Sequence, residues 1–227
     1  MLKLVLFDID GTLIRTGGAG VRAFERTGVM EFHIQDGMRH MNFAGRTDTS
    51  LVREFFSRHG IPATPVNFQR FFARYVFLLD HLLPQHRGAV CPGVADLLAG
   101  LRALPHPPLL GLQTGNIRLG AEIKLRHYGL WGHFTVGGFG DDHEDRRELT
   151  RIAVQRAGRR LRGRLGPEEI IVVGDTPHDI DCAHAVGARA LAVATGGATR
   201  EQLALRQPEW LVEDLTRLHA ADLSGRG

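Results

Sequence analysis

Four short apolar runs constrain this chain more than any other feature: Leu2–Phe7, Leu109–Gln113, Ile170–Val173 and Ala190–Ala194. A run of that length with little polar alternation fits a strand buried on both faces, as in a parallel sheet covered by helices. Phe134–Val136 reads as a weaker strand and Trp210–Val212 as a short edge strand. Between them fall helical patterns at Val94–Leu104, Leu119–Tyr128, Glu148–Ala157, Ile180–Val186 and Glu201–Leu205. The alternation predicts an α/β fold built on a doubly wound parallel sheet.

One stretch breaks the alternation. From about Arg15 to His86 there are helix patterns and no strand pattern. Phe68, Phe71, Phe72, Tyr75, Val76, Leu79 and Leu82 share one helical face. Val52, Phe55 and Phe56 mark another helix, ending at Gly60 before Pro62. Gly17, Gly18 and Gly20 read as a flexible exit from the first strand-loop, with Pro84 and Gly88 as the re-entry. The expected organisation is an α/β core of residues 1–14 and 87–227 with a helical domain, 15–86, inserted after the first strand. An insertion there sits at the carboxyl end of a sheet strand, where α/β folds place ligands.

Composition narrows the classes. With 227 residues and 43% hydrophobic side chains the chain can bury a sizeable core. No apolar run reaches membrane-spanning length and the N-terminus lacks a signal-peptide pattern, so no membrane association is expected. Two cysteines without CxxC spacing, Cys91 and Cys182, indicate neither a disulfide framework nor a zinc knuckle, and a cytoplasmic location is the simplest reading. The net charge of +3 suits anionic substrates. The densest basic run, Arg156, Arg159, Arg160, Arg162 and Arg164, lies where a helix should end and has no interleaved aromatics. It therefore reads as helix C-terminal charge, and nucleic acid is not an expected partner. The twelve histidines form no ligand-like pattern, and Ser224–Gly227 reads as a frayed tail. Nothing in the sequence speaks to oligomeric state.

Three strand ends carry candidate chemistry. The first is Asp8-Ile9-Asp10-Gly11-Thr12. Two carboxylates two residues apart can divide phosphoryl transfer, one attacking phosphorus and the other moving a proton to or from oxygen. Gly11 permits the sharp turn that aims both into one cleft. The second is Gly174-Asp175-Thr176-Pro177-His178-Asp179. Asp175 and Asp179 with Asp8 would gather hard oxygen ligands suited to Mg²⁺, although an N-cap role for Asp175 or Thr176 before Pro177 fits equally well. The third is Thr114-Gly115-Asn116, a hydroxyl with backbone N–H groups at a helix start, which suits a phosphate.

With these three elements in place, the chain resembles the haloacid dehalogenase superfamily of phosphatases, in the branch similar to phosphoglycolate phosphatases. The likeness covers nearly the whole length and implies a Rossmann-like core with a helical cap. It implies Asp8 as nucleophile and Asp10 as acid/base, with Thr114 binding phosphate alongside Thr12, Gly115 and Asn116. It further implies Mg²⁺ held by Asp8, Asp175 and the backbone carbonyl of Asp10, with Asp179 supporting the metal. The expected substrate is a small phosphorylated metabolite.

The sequence departs from the family pattern at one point. Where a Gly-Lys-Pro turn is usual, it has Asp141-Asp142-His143-Glu144-Asp145-Arg146-Arg147. Arg146, and Lys124 on the helix after Thr114, are the two candidates for the missing cation. In the insertion, Gly45-Arg46-Thr47-Asp48 looks like a substrate-specificity loop, with Arg46 available to an anionic group and Thr47 or Asp48 equally able to cap a helix. A phosphosugar mutase on the same residues is the main alternative. A non-catalytic binding domain fits poorly with a full set of acidic and Thr residues. Carbon–halogen hydrolysis fits poorly with Asp10, since halide departure needs no acid.

Overall fold

Strand β1 (Leu4–Phe7) opens the chain, and a two-residue strand β2 (Ile14–Arg15) follows it closely. Helices α1 (Ala19–Phe32), α2 (Asp48–Arg58) and α3 (Pro65–Leu82) come next, then strand β3 (Ala89–Val90). The remainder alternates: α4 (Val94–Ala103), β4 (Leu109–Gln113), α5 (Arg118–His127), β5 (Val136–Gly138), α6 (Arg146–Leu161), β6 (Ile170–Gly174) and α7 (Pro177–His184). It closes with β7 (Arg189–Val193), α8 (Arg200–Ala204), β8 (Trp210–Val212) and α9 (Ala220–Ser224). The computed structural model describes residues 1–224; the tail reading for 225–227 lies outside the described residues, and Ser224 itself ends α9.

The main sheet has six strands in the order β5-β4-β1-β6-β7-β8, every neighbouring pair parallel. The α/β class is as the strand–helix alternation predicts, and Trp210–Val212 is the edge strand expected. Side chains alternate across the pleat to feed two cores. Val5, Phe7, Ile171, Val173, Leu191 and Val193 pack on one face with Leu97, Leu101 and Leu125 of α4 and α5. Leu4, Leu6, Val172, Ala190 and Ala192 pack on the other with Ala153, Ile180 and Leu203 of α6, α7 and α8. Strands buried on both sides need no polar alternation, which is why they read as plain apolar runs.

The strand order places β1 between β4 and β6, so the connections leaving β1's two neighbours diverge to opposite sides. The carboxyl ends of these three strands therefore border one crevice, the usual ligand position in such sheets.

Helices α1–α3 bury a separate cluster. Phe24, Leu51, Phe55, Phe56, Phe71, Tyr75 and Leu79 are its largest members, joined by Ile117 just before α5. The Phe24 and Tyr75 rings meet edge-on at 4.4 Å, and Phe71 lies within 6.1 Å of Phe24, Phe55 and Phe56. Thr47 and Thr64 cap α2 and α3, their hydroxyls accepting from Ser50 N–H and Asn67 N–H. A cap residue of this type is worth about 1 kcal/mol.

Three local expectations change. β5 lies two residues later than the Phe134–Val136 pattern, because Gly137 and Gly138 lower the strand propensity of the segment that pairs with β4. Gly20 is not part of a flexible exit: it lies in the first turn of α1, which Gly18 precedes as N-cap. The chain also leaves and re-enters this region through an antiparallel ribbon, Ile14 opposite Val90 and Arg15 opposite Ala89, too short to give a periodic signal. No helix among the described residues is long and apolar enough to cross a membrane.

Phe71→Ala empties the middle of the aromatic cluster. It is expected to lower unfolding stability by about 3–5 kcal/mol, read from the urea midpoint, because a fully buried aromatic leaves a cavity that its neighbours only partly fill. A loss below about 1 kcal/mol would contradict this packing.

Candidate active site

Each corner of the site begins where a strand runs out of partners. Asp8 directly follows β1, its N–H donating to the Val173 carbonyl at 2.9 Å. The chain then turns so tightly that the amides of Leu13 and Ile14 both donate to the Ile9 carbonyl. Gly11 supplies the turn with φ of +92°, and a Cβ there would sit 2.5 Å from Asp175 Oδ2. The turn thus requires glycine twice, for its backbone conformation and for the carboxylate behind it.

Asp175 follows β6, and Thr12 Oγ1 donates to its Oδ1 at 2.8 Å. Thr12 is thereby committed to orienting Asp175. Thr176 caps α7 while Asp179 Oδ2 accepts from Thr176 N–H at 3.0 Å and from its hydroxyl at 2.6 Å, a reciprocal capping box. Capping and clustering coexist, since Asp8, Asp175 and Asp179 each offer an oxygen within 4.8 Å of the others.

Three buried carboxylates at that spacing repel one another. Burial pushes Asp8 up to about 7, Arg146 opposing the rise and Asp179 and Asp10 adding to it. Asp175 is raised well above its ordinary value by burial and then by Asp8 and Asp179. Arg146, the first residue of α6, answers part of this charge: its Nη2 donates to Asp8 Oδ1 at 3.1 Å and also to Asp179 Oδ1. Burial disfavours the guanidinium charge, but Asp179 and Asp8 outweigh it and hold Arg146 ionised. A set of hard carboxylate oxygens with incomplete charge compensation is the donor chemistry a divalent cation fits.

The second cation serves the second acid. Buried Lys124 donates through Nζ to Asp10 Oδ2 and to Asn116 Oδ1, both at 2.6 Å. Asn116 Nδ2 donates to the same Asp10 oxygen at 2.8 Å and to Thr114 Oγ1 at 2.9 Å. Asp10, Thr114, Asn116 and Lys124 therefore form one network. The two cation candidates sit on different carboxylates, Arg146 on Asp8 and Lys124 on Asp10.

The helical segment closes over this floor through residues 45–49. Asp48 N–H donates to the Gly115 carbonyl at 2.7 Å, and Ile117 N–H returns a bond to Asp48 Oδ2 at 2.9 Å. The Thr47 hydroxyl donates to Glu144 O at 3.1 Å, the Thr49 hydroxyl to Gly140 O at 2.5 Å. Gly115 is required here because a Cβ would overlap the Arg46 carbonyl. The Arg46 side chain itself is turned into the helical segment, where it pairs with Glu54, a carboxylate it shares with Arg58, and donates to Ser50 O at 3.3 Å. The cleft between floor and helical segment has a volume of about 350 Å³, and Asp8, Asp10, Thr114, Gly115, Asn116, Lys124, Arg146 and Asp175 all line it, as does Arg46.

Two contributors were not singled out from sequence. Thr195, after β7, donates its hydroxyl to the Gly11 carbonyl at 2.6 Å, and its backbone carbonyl accepts from Arg15 Nε at 2.9 Å. Its position after the fourth apolar run was the available signal. Tyr75 was assigned to a helical face, and its place in the cleft wall follows only from packing.

Carboxylates at the ends of β1 and β6, the first as an Asp-x-Asp pair, and a Thr-Gly-Asn turn at the end of β4 thus gather in one cleft of a parallel α/β sheet. The sequence profile of the haloacid dehalogenase-like hydrolases matches residues 5–193, and the chain belongs to that family. Phosphoglycolate phosphatase of Synechococcus elongatus is 30% identical over 212 residues, covering 93% of both chains. A protein named probable phosphatase IndB, from Dickeya dadantii, is 29% identical over 231 residues, 97% of this chain and 94% of that one. The fold is shared with CbbY from Rhodobacter sphaeroides in complex with phosphate, at a TM-score of 0.72, 20% identity and 96% coverage of each chain.

Asp48 gives this site a pH signature away from the carboxylate cluster. Burial lifts it from 3.8 to about 7, with Lys124 opposing. A native carboxyl raised above its unfolded value holds its proton longer in the folded state. Its contribution to stability therefore falls as pH rises between 3.8 and about 7, and is flat above. Asp48→Asn keeps an acceptor for Ile117 N–H but cannot ionise. Its Tm relative to the unsubstituted chain is expected to climb from about pH 4 to about pH 7 and to level off above; a difference independent of pH would contradict the burial of this group.

Proposed function

We propose that this phosphoric monoester hydrolase removes phosphate from a small phosphorylated metabolite in two displacements, through an aspartyl-phosphate on Asp8. The observation that carries the reading is the juxtaposition of Asp8, Asp175 and Asp179, each offering an oxygen within 4.8 Å of the others, in a cleft that Asp10 and Thr114 also line. Mg²⁺ is the cation this oxygen set suits, held by Asp8, Asp175 and the Asp10 backbone carbonyl with Asp179 in support, and when bound it would offset the negative charge of carboxylate and phosphate.

The chain's own groups then divide the work. An Asp8 carboxylate oxygen attacks phosphorus as the ester P–O bond breaks, and Asp10 gives a proton to the departing alcohol oxygen. Asp10 next takes a proton from water, whose oxygen attacks phosphorus and frees inorganic phosphate and Asp8. Lys124 and Asn116 fix one Asp10 oxygen, Oδ2, which keeps the other carboxyl oxygen oriented for the proton. Thr114 and the neighbouring amides hold the phosphoryl oxygens. We assign Arg146 as the phosphate clamp, because its Nη2 already reaches the nucleophile, and Lys124 as the support of Asp10.

The same reading makes residues 15–86 a cap over a core of 1–14 and 87–227. Its support is the separate aromatic cluster and the ribbon through which the chain leaves and returns. A cytoplasmic location accords with the two free, buried cysteines.

Hydrolysis of p-nitrophenyl phosphate is expected to need Mg²⁺, to stop with EDTA and to disappear in Asp8→Asn. Turnover that persists without metal would overturn the reading. Equal release of phosphate and alcohol separates hydrolysis from return of the phosphoryl group to a sugar.

The two cations are expected to separate in kinetics. Arg146→Lys should raise KM and lower kcat/KM by about 100-fold, the cost of losing one oriented donor to a developing charge. Lys124→Met should lower kcat with little change in KM. Its pH–rate profile should shift, because the partner of Asp10 is gone. Thermal unfolding of both variants separates these effects from misfolding, and an identical pattern for the two would refute the division of labour.

A further inference from the structure

The cleft has two unlike halves. The floor, at the strand ends, is acidic and polar. The facing wall belongs to the helical segment and is built from Val21, Phe24, Phe43, Leu51 and Tyr75, with Asp48 as its one carboxyl group. A phosphate seated on Asp8 must direct its alcohol half toward that wall.

Among the described residues, three cations line the cleft, and each is already hydrogen-bonded to a carboxylate. Lys124 is held by Asp10, Arg146 by Asp8 and Asp179, and Arg46 by Glu54. A leaving group bearing a carboxylate would thus meet aromatic rings and the Asp48 carboxyl without a counter-charge, an arrangement that rejects rather than selects it. An uncharged, carbon-rich alcohol meets apolar surface chiefly from Val21 and Phe43, with Phe24, Leu51 and Tyr75 packed close behind. Tyr75 adds a neutral donor, since burial together with Asp48 and Asp10 keeps its phenol protonated.

We infer that the preferred substrates are phosphate monoesters whose alcohol half is uncharged and at least partly apolar, and that 2-phosphoglycolate is a poor one. The inference rests on the phosphatase reading of the same site. It adds the chemical class of the leaving group, and it sets this chain apart from the substrate named for its Synechococcus relative.

The test compares kcat/KM for benzyl phosphate and 2-phosphoglycolate with Mg²⁺ present, two esters of alcohols with similar basicity. Benzyl phosphate is expected to be favoured by at least about tenfold. Phe43→Ala, on the half-buried loop before Arg46, should cut benzyl phosphate turnover about tenfold and leave 2-phosphoglycolate within about twofold. Val21→Arg places a cation on an exposed helix position at the rim, and should raise 2-phosphoglycolate turnover several-fold.

Preference for 2-phosphoglycolate in the unsubstituted enzyme, lost in Arg46→Ala, would overturn this inference and leave the phosphatase reading standing. Failure to hydrolyse either ester while p-nitrophenyl phosphate is turned over would overturn this inference alone, and failure on all three would overturn the phosphatase reading with it. Because the first comparison uses the native chain, a poorly folding variant cannot obscure the result.

Discussion

Mutual repulsion among carboxylates is the constraint around which the rest of this molecule is arranged. Asp8, Asp175 and Asp179 lie close together and out of water, where like charges are costly. The parallel sheet makes that possible by fixing two backbones side by side, with Phe7 opposite Val173 in register. Residues one or two steps beyond that pair then cannot avoid each other. Compensation comes from separate places: Arg146 from the start of α6, the Thr12 hydroxyl from the turn, and the N-terminal amide and hydroxyl of Thr176. Such a cluster is under-compensated by the chain alone, which is what a site for a cation and an anion together requires.

The helical segment contributes by contact rather than by chemistry on phosphorus. Asp48 bonds to the loop after β4 in both directions, giving an N–H to Gly115 and receiving one from Ile117. Closure of the cleft and shape of the Thr114–Ile117 loop are therefore one structural event. Arg53 and Glu144 extend the seam at the surface, where their bidentate pair adds orientation more than stability.

The sheet was readable from sequence because its central strands are buried on both faces, and such strands are continuous apolar runs. Leu109–Gln113 and Trp210–Val212 match to the residue. β5 slipped because glycines weaken its signal, and the β2–β3 ribbon escaped because two residues cannot show a period. In the candidate site, Asp8, Thr114 and Asp175 directly follow recognisable strands and Asp10 and Asp179 come a few residues later, which is why a sequence reading could single them out. Pairings between distant segments were not: nothing local to Lys124 says that it will hold Asp10, 114 positions away. Asp48 likewise read as a helix cap, and only the meeting of two segments makes it a clasp.

The β2–β3 ribbon has a consequence for how the chain can vary. Pairing Ile14 with Val90 brings the two ends of a long excursion side by side before β4 must find β1. The entropy of closing that loop depends only weakly on its length, by about 0.6 kcal/mol for each doubling. The sheet is thus nearly blind to what lies between the two ribbon strands. Its helices can lengthen or shorten while the strand ends keep their spacing, provided that the Thr47–Thr49 contacts to the loops beneath are kept.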